Sequence, residues 1–356
     1  MIQLILPLTI ALITQTSSPF KVEEVYKTND VVWGLCFLSP QEILFSEKQG
    51  RLSQMNLKTK KVTPVSGVPL VSPHGQGGLM DVQAHPQFEK TGLIYLTYSV
   101  KNNESSWTTR ISRARLKDYK LYDLQVLFTA DIDSEAGEHF GSRIVFDRKG
   151  HIYFGIGDRG QRDLAQSLRH YNGKIIRLRE DGSLPKDNPY VGDRSAKPEI
   201  FSLGHRNPQG MARHFDTGEI WSNEHGPRGG DEINRIGAGK NYGWPIITYG
   251  REYWGPKIGE GTEKVGLEQP FYQFTPSIAP SSLMIYSGKL FRDWKGSFFS
   301  SALALQHLNR LAFQGNKIVK EEKLLTDLKE RFRYVVEAPD GSIFVTTDSG
   351  KILRLS

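Results

Sequence analysis

From residue 21 onward the chain is built of short apolar runs bounded by Gly, Pro and Asp, and stretches with helical spacing are few. Runs of that kind suit strands buried in sheets, so the pattern predicts an all-β domain. One phrase recurs, a turn followed by a strand. It reads Ser39-Pro40-Gln41-Glu42-Ile43-Leu44-Phe45, then Lys90-Thr91-Gly92-Leu93-Ile94-Tyr95, then Arg148-Lys149-Gly150-His151-Ile152-Tyr153-Phe154. It returns as Asp216-Thr217-Gly218-Glu219-Ile220-Trp221, Trp294-Lys295-Gly296-Ser297-Phe298-Phe299 and Pro339-Asp340-Gly341-Ser342-Ile343-Phe344. The first of these six copies lacks the turn glycine.

After each copy comes a second short apolar stretch with a basic residue at or near it: Arg51-Leu52, Arg110-Ile111, Lys174-Ile175-Ile176, Ile233-Asn234-Arg235, Arg310-Leu311 and Lys351-Ile352-Leu353. Two strands per unit are therefore visible, at unequal but blade-sized intervals. A single blade cannot cover both of its faces and leaves edges unpaired, and radial repetition solves both problems. The expected architecture is a six-bladed β-propeller over residues 21–356. A β-sandwich with long loops is the alternative, and it does not explain why one turn-strand phrase recurs.

The first twenty residues read differently. Ile2 to Ile13 is apolar apart from Gln3 and Thr9, and small polar residues follow at Thr16, Ser17 and Ser18. A run of this length is too short to span a bilayer, which needs ~20 apolar residues, and it stands where an export signal has its hydrophobic region. Residues 1–20 are therefore expected to direct export to the periplasm or the medium, without a stable membrane anchor. No Lys or Arg precedes the run, and a buried first strand is the competing reading.

Composition narrows the function classes. The 356 residues carry 46 Lys+Arg against 39 Asp+Glu, a formal charge of +7. Charges of both signs are interspersed and no block of five basic residues occurs, which argues for a mixed solvated surface rather than a nucleic-acid face. One cysteine excludes an internal disulfide and any cysteine-only zinc or iron–sulfur site. Cys36 lies in the apolar run from Val31 to Leu38 and is expected to be a buried structural thiol.

Residues that packing does not require collect in three places. His74-Gly75-Gln76-Gly77-Gly78-Leu79-Met80-Asp81 combines glycines with polar neighbours, as a tight turn or a ligand cradle would. Glu138-His139-Phe140-Gly141-Ser142-Arg143 lies just before one strand phrase, and Gly157-Asp158-Arg159 just after it. A histidine near a carboxylate is what a general base needs, because the carboxylate can hold the imidazole proton in place. The third place is Gly204-His205-Arg206-Asn207-Pro208-Gln209-Gly210 with Asn223-Glu224-His225-Gly226-Pro227-Arg228-Gly229-Gly230-Asp231-Glu232. It suits either a salt-bridged surface loop or an anion pocket beside a hard cation, since Arg offers a planar fork and Asp, Glu and carbonyls offer oxygen. His139, His205 and His225 lack the local spacing of a zinc site. No EF-hand, phosphate-binding or dinucleotide fingerprint is present.

Those segments, with Asn241-Tyr242-Gly243-Trp244-Pro245 and Pro276-Ser277-Ile278-Ala279-Pro280-Ser281, resemble the soluble aldose sugar dehydrogenases of the glucose/sorbosone dehydrogenase family. That family uses pyrroloquinoline quinone (PQQ) and has a six-bladed propeller fold. The resemblance runs in order from about residue 24 to the C-terminus. It implies that His139 is the base that takes the proton of the sugar C1 hydroxyl while hydride passes to the quinone, and that Asp158 orients it. It implies a cofactor lining of Gln76, Arg206, Asn207, Ser277, Arg331 and Arg333, whose three arginines would offset the three PQQ carboxylates. Carbonyls of Gly226 and Pro227 match those holding an active-site calcium, and Glu232 and Tyr242 resemble a second, structural calcium site. An aldose substrate, an external electron acceptor and a homodimer belong to the same expectation.

This sequence departs from the family in two ways. Some members place a lysine on the cofactor after the fifth-blade strand, where Ala304 or Leu305 falls here. The long insertions of the glucose-specific enzymes are missing, which suggests a more open cleft and a broad aldose range. Two other readings compete, a non-catalytic propeller that binds a carbohydrate or protein and a calcium-dependent lactonase.

Overall fold

A computed structural model describes residues 20–315 and 317–356, so the expected export signal lies outside the described residues apart from Phe20. The chain opens with β1 (Val22–Lys27). Blade 1 follows as β2 (Val32–Ser39), β3 (Glu42–Glu47), β4 (Arg51–Asn56) and β5 (Val62–Pro64). Blade 2 is β6 (Leu79–Ala84), β7 (Leu93–Lys101), β8 (Trp107–Lys117) and β9 (Lys120–Thr129). Blade 3 is β10 (Ile144–Phe146), β11 (His151–Ile156), β12 (Lys174–Arg179) and β13 (Ile200–Leu203). Blade 4 is β14 (Pro208–Arg213), β15 (Ile220–Glu224), β16 (Asp231–Ile236) and β17 (Tyr272–Phe274). Blade 5 is β18 (Pro280–Ile285), β19 (Phe298–Ala302), β20 (Leu308–Gln314) and β21 (Lys317–Leu324). Blade 6 is β22 (Phe332–Glu337), β23 (Ile343–Thr347) and β24 (Lys351–Leu355), completed by β1.

The fold is the six-bladed β-propeller that the repeat predicts, with six four-stranded antiparallel sheets. Each copy of the repeated phrase supplies a second strand, and each following basic stretch a third. Second strands read as apolar runs because neighbouring blades cover both of their faces; β11 and β19 are buried at every position. Ring closure is made by β1, which pairs with β24 from Val22↔Leu355 to Lys27↔Lys351. A strand from the start of the chain thus covers the edge that the last blade would leave open. Cys36 is buried in β2, as its apolar setting predicts.

The six inner strands meet on one side chain. Arg143, immediately before β10, is 2% exposed. It donates to the carbonyls of Trp33 in β2 at 3.0 Å, Ser281 in β18 at 3.1 Å and Arg333 in β22 at 2.9 Å. It also reaches Gln209 O in β14 at 3.3 Å and the Asp81 carboxylate in β6 at 3.1 Å. Its guanidinium lies between the rings of Trp33 and Tyr334, 4.0 and 4.2 Å from their centroids. Planar, five-donor geometry makes arginine the one cation able to satisfy acceptors from so many directions.

Antiparallel pairing sorts the connections between two ends of the propeller. Turns from first to second strands, the glycine turns of the repeated phrase, lie at one end. Loops from second to third strands, and connections into the next blade, lie at the other. Gln76, His139, Arg206, Asn207, Ser277 and Arg331 all sit on connections into a new first strand, and Asp158, Gly226 and Pro227 on second-to-third loops. Topology alone therefore gathers most of the candidate residues at one mouth.

Candidate active site

His139 Nδ1 and Asp158 Oδ1 are 2.6 Å apart. His139 adopts φ 58°, a left-handed backbone that is uncommon for a non-glycine residue, and Gln76 Oε1 accepts its backbone N–H at 3.0 Å. Gly157 admits this loop, because a Cβ there would stand 2.1 Å from the His139 carbonyl oxygen. Asp158 is 1% exposed, and its second oxygen accepts from Trp244 Nε1 at 2.8 Å while Gly160 N–H donates to the first at 3.0 Å. Burial works against ionisation of Asp158. The His139 hydrogen bond and charge, the Arg206 charge and the Gly160 N–H together outweigh it and hold the carboxyl below the usual carboxylate range. An ionised Asp158 accepts the Nδ1–H of His139, so that Nε2 is the ring nitrogen left to take a proton.

Asp158 N–H donates to Arg206 O at 2.8 Å, which ties the dyad to the next loop. Arg206 Nη1 donates to the carbonyls of His225 at 3.1 Å and Gly226 at 2.8 Å, and Glu224 Oε2 accepts the Arg206 N–H at 2.7 Å. His225 is held neutral, its pKa pushed down to about 3 by burial first and then by the charges of Arg206, His139 and Arg333. Two buried polar atoms here lack a partner, His225 Nε2 and Asn207 Nδ2. Groups of that kind are costly to leave unpaired and fit a polar ligand lying across them.

One carboxylate shapes the loop of Gly226 and Pro227. Asp231 accepts from Gly226 N–H at 2.8 Å, Ile278 N–H at 2.7 Å, Ala279 N–H at 2.8 Å and the Ser277 hydroxyl at 3.0 Å. Burial pushes its carboxyl up to about 6, against the pull of those donors. Ser277 thereby belongs to the scaffold of this loop, since its hydroxyl also lies 3.2 Å from Pro227 O. Arg331 and Arg333 converge on an acid that sequence reasoning missed. Their Nε atoms lie 2.9 and 2.8 Å from the two oxygens of Asp348. Glu232 shares Asn234 Nδ2 with Glu224, and burial first, then Glu224, pushes its carboxyl up. Tyr242 lines the same small cavity as both acids, yet its hydroxyl donates to Arg235 O at 2.5 Å and accepts Gly237 N–H at 3.0 Å.

The sequence model of the Glucose / Sorbosone dehydrogenase family matches residues 29–354. The chain belongs to this family. Among curated relatives, the aldose sugar dehydrogenase YliI of Escherichia coli is 39% identical over 342 residues, covering 94% of this chain and 92% of that one. The apo-form crystal structure of the soluble aldose sugar dehydrogenase from Escherichia coli superposes with a TM-score of 0.91 at 38% identity, covering 95% of this chain and 99% of that chain. The PQQ-bound aldose sugar dehydrogenase of Streptomyces coelicolor gives 0.79 at 25% identity, over 96% of this chain and 99% of that chain.

For this glucose/sorbosone dehydrogenase family member, three supporting residues escaped sequence reasoning. Trp244 stood inside a quoted motif, but its partner Asp158 lies 86 positions away. Asp231 was read as one more loop carboxylate, although four donors converge on it. Asp348 carried no local signal at all.

Proposed function

We propose that this chain oxidises the C1 hydroxyl of aldose sugars to the lactone, with PQQ as hydride acceptor and an external acceptor receiving the electrons. The observation that carries this reading is the 2.6 Å His139–Asp158 dyad beside arginines and the two unpartnered atoms, His225 Nε2 and Asn207 Nδ2. The residues fit the cofactor: Arg206, Arg331 and Arg333 offer charge to its carboxylates, and Gln76 and Asn207 offer amides. Bound there, the quinone supplies a two-electron acceptor, polarised by a calcium ion held through the Gly226 and Pro227 carbonyls.

The chain's own residues manage the proton. Nε2 of His139 takes it from the sugar hydroxyl, and Asp158 stabilises the imidazolium that forms. Trp244 and Gly160 keep Asp158 from rotating away. The Gly226 carbonyl already accepts a hydrogen bond from Arg206, and both carbonyls keep a lone pair for a hard cation. Glu224, buried, and Glu232, half-buried, share one amide and would be relieved by a second calcium, with the Tyr242 ring as cavity wall. The apolar N-terminal run supports a periplasmic or secreted location. Among the described residues no helix is long and apolar enough to cross a membrane.

The test is a titration of the purified protein with PQQ plus calcium, then glucose, recorded in the cofactor's absorption spectrum. Binding followed by reduction is expected. His139→Ala should still bind PQQ and no longer reduce it; full activity in that variant would overturn the assigned base, and an unchanged spectrum on adding PQQ to the wild type would overturn the reaction.

A further inference from the structure

The loop after β3 in blade 1 is topologically equivalent to the loops carrying Asp158, Gly226 and Asp348, so its residues also reach the mouth. Lys48 stands there, the first residue after β3. Its Nζ donates to Gly75 O at 2.6 Å, one residue before Gln76. The double glycine that follows explains how it gets there. A Cβ on Gly78 would come within 2.2 Å of the Lys48 carbonyl oxygen and 2.8 Å of its Cγ, while a Cβ on Gly77 would meet the Phe140 ring at 2.8 Å. The Gln76 loop is thus pressed between the Lys48 stem on one side and the His139-Phe140 loop on the other.

Lys48 also senses the opposite wall. Burial, then the charge of Arg333, lowers the pKa of its ammonium, and Asp348 and Asp30 act against them. Arg331 and Arg333 share Asp348, so much of their charge is already met. The Lys48 ammonium differs. Among the described residues it has a single hydrogen-bond partner, a neutral carbonyl, and no carboxylate within ion-pair distance. Two of its three N–H donors are open to an anion. The fifth-blade position that some relatives fill with lysine holds Ala304, whose N–H donates to Ile278 O at 2.9 Å beside Ser277.

We propose that Lys48 is a cofactor-binding cation of this cleft: from blade 1 it supplies the ammonium that Ala304 cannot, and pairs with a carboxylate of the quinone. The inference rests on the PQQ reading above. It gives a residue of the Gln76 side of the mouth a role that the family motif leaves unassigned.

The experiment compares PQQ binding, in the presence of calcium, by the purified wild-type chain, Lys48→Met, Lys48→Arg and the double variant Lys48→Met/Ala304→Lys, read from the cofactor spectrum. Methionine keeps the stem that packs on Gly78, and apo melting temperatures check that the fold is intact. Lys48→Met is expected to weaken binding about tenfold, the size of one charge-assisted contact. Lys48→Arg should stay within about threefold of wild type, and Ala304→Lys should recover part of the loss. Lys48→Met binding PQQ as tightly as wild type would overturn the role of Lys48 alone. No binding by wild type would overturn the quinone reading and this inference with it.

Discussion

Arg143 and Asp81 form an ion pair at 3.1 Å where the six inner strands converge, and neither side chain reaches solvent. The second oxygen of Asp81 accepts the N–H of Ile144 at 2.9 Å, so the acid holds both the cation and the strand that follows it. Burial raises the Asp81 pKa against the opposing pull of Arg143, the tension expected of a buried acid beside a buried cation.

Removing one member of such a pair leaves the other buried and uncompensated. Arg143→Met should therefore lower unfolding free energy by about 3 kcal/mol or more. It also strands carbonyls of Trp33, Ser281 and Arg333 from three different blades. The check is the midpoint of urea unfolding, by intrinsic tryptophan fluorescence, at an unchanged slope. A midpoint equal to wild type would mean the blades are held together by their apolar faces alone.

Asp158→Asn should remove catalysis and keep the fold. An amide in that place can present N–H to His139 Nδ1, which drives the imidazole proton to Nε2 and takes away the acceptor. A fall of about a thousandfold in kcat is expected, by the logic of other His–Asp dyads. The pH dependence has a definite sign. The folded pKa of Asp158 is depressed, so its contribution to stability is complete above the unfolded value near ~3.9 and fades as pH falls through the folded value. The part of the difference in unfolding midpoint between wild type and Asp158→Asn that comes from the carboxylate should shrink as pH falls below about 4. A difference unchanged down to about pH 2 would show that the acid is not the group responsible.

Trp244→Phe isolates the outer hydrogen bond of the dyad. A six-membered aromatic ring is kept, and the pyrrole ring with its Nε1–H donor to Asp158, at 2.8 Å, is lost. An Asp158 carboxylate with one fewer donor is freer to rotate, so kcat should drop by about tenfold with KM for the sugar little changed. Steady-state kinetics over a range of glucose concentrations would settle it; a change in KM alone would place Trp244 against the sugar instead.

What was legible in the sequence follows from where each strand lies. Second strands such as His151–Ile156 are covered by blades on both faces and read as apolar runs. Outer strands do not: Lys317–Leu324 is mostly charged and half-exposed, with nothing in its pattern to mark a strand. Inner strands were hidden for the opposite reason. Blades crowd together near the centre, so Pro280–Ile285 carries small Ser281 and Ser282 and reads as loop chemistry. His139, Asp158 and Arg206 were legible because their motifs are local. Asp348 and Lys48 were not: Asp348 meets Arg331 and Arg333 only through the pairing of β22 with β23, and Lys48 meets Gly75 only where the loop after β3 lies beside the entry to blade 2, and neither has a local motif.

Lys174 offers a test of how the dyad is supported from below. It is a buried lysine whose ammonium donates to three carbonyls, Leu164 at 3.0 Å, Ala165 at 2.9 Å and Asn172 at 2.6 Å. Asn172 in turn donates its amide to Asp158 O at 3.0 Å. Three carbonyls turned on one point make a cation socket filled by the chain itself, and it closes the loop from Asp158 to Ala165. Burial lowers the Lys174 pKa to about 7, and Lys174→Met keeps the stem and removes the N–H donors, leaving those carbonyls unpaired in a place water does not easily reach. The cost should be about 2–4 kcal/mol in unfolding free energy. If the socket also positions Asp158, hydrogen exchange of residues 158–166 should speed up, and kcat should fall with KM unchanged. Loss of stability with unaltered exchange and kcat would confine Lys174 to packing, because a brace that moved the dyad could not leave its turnover untouched.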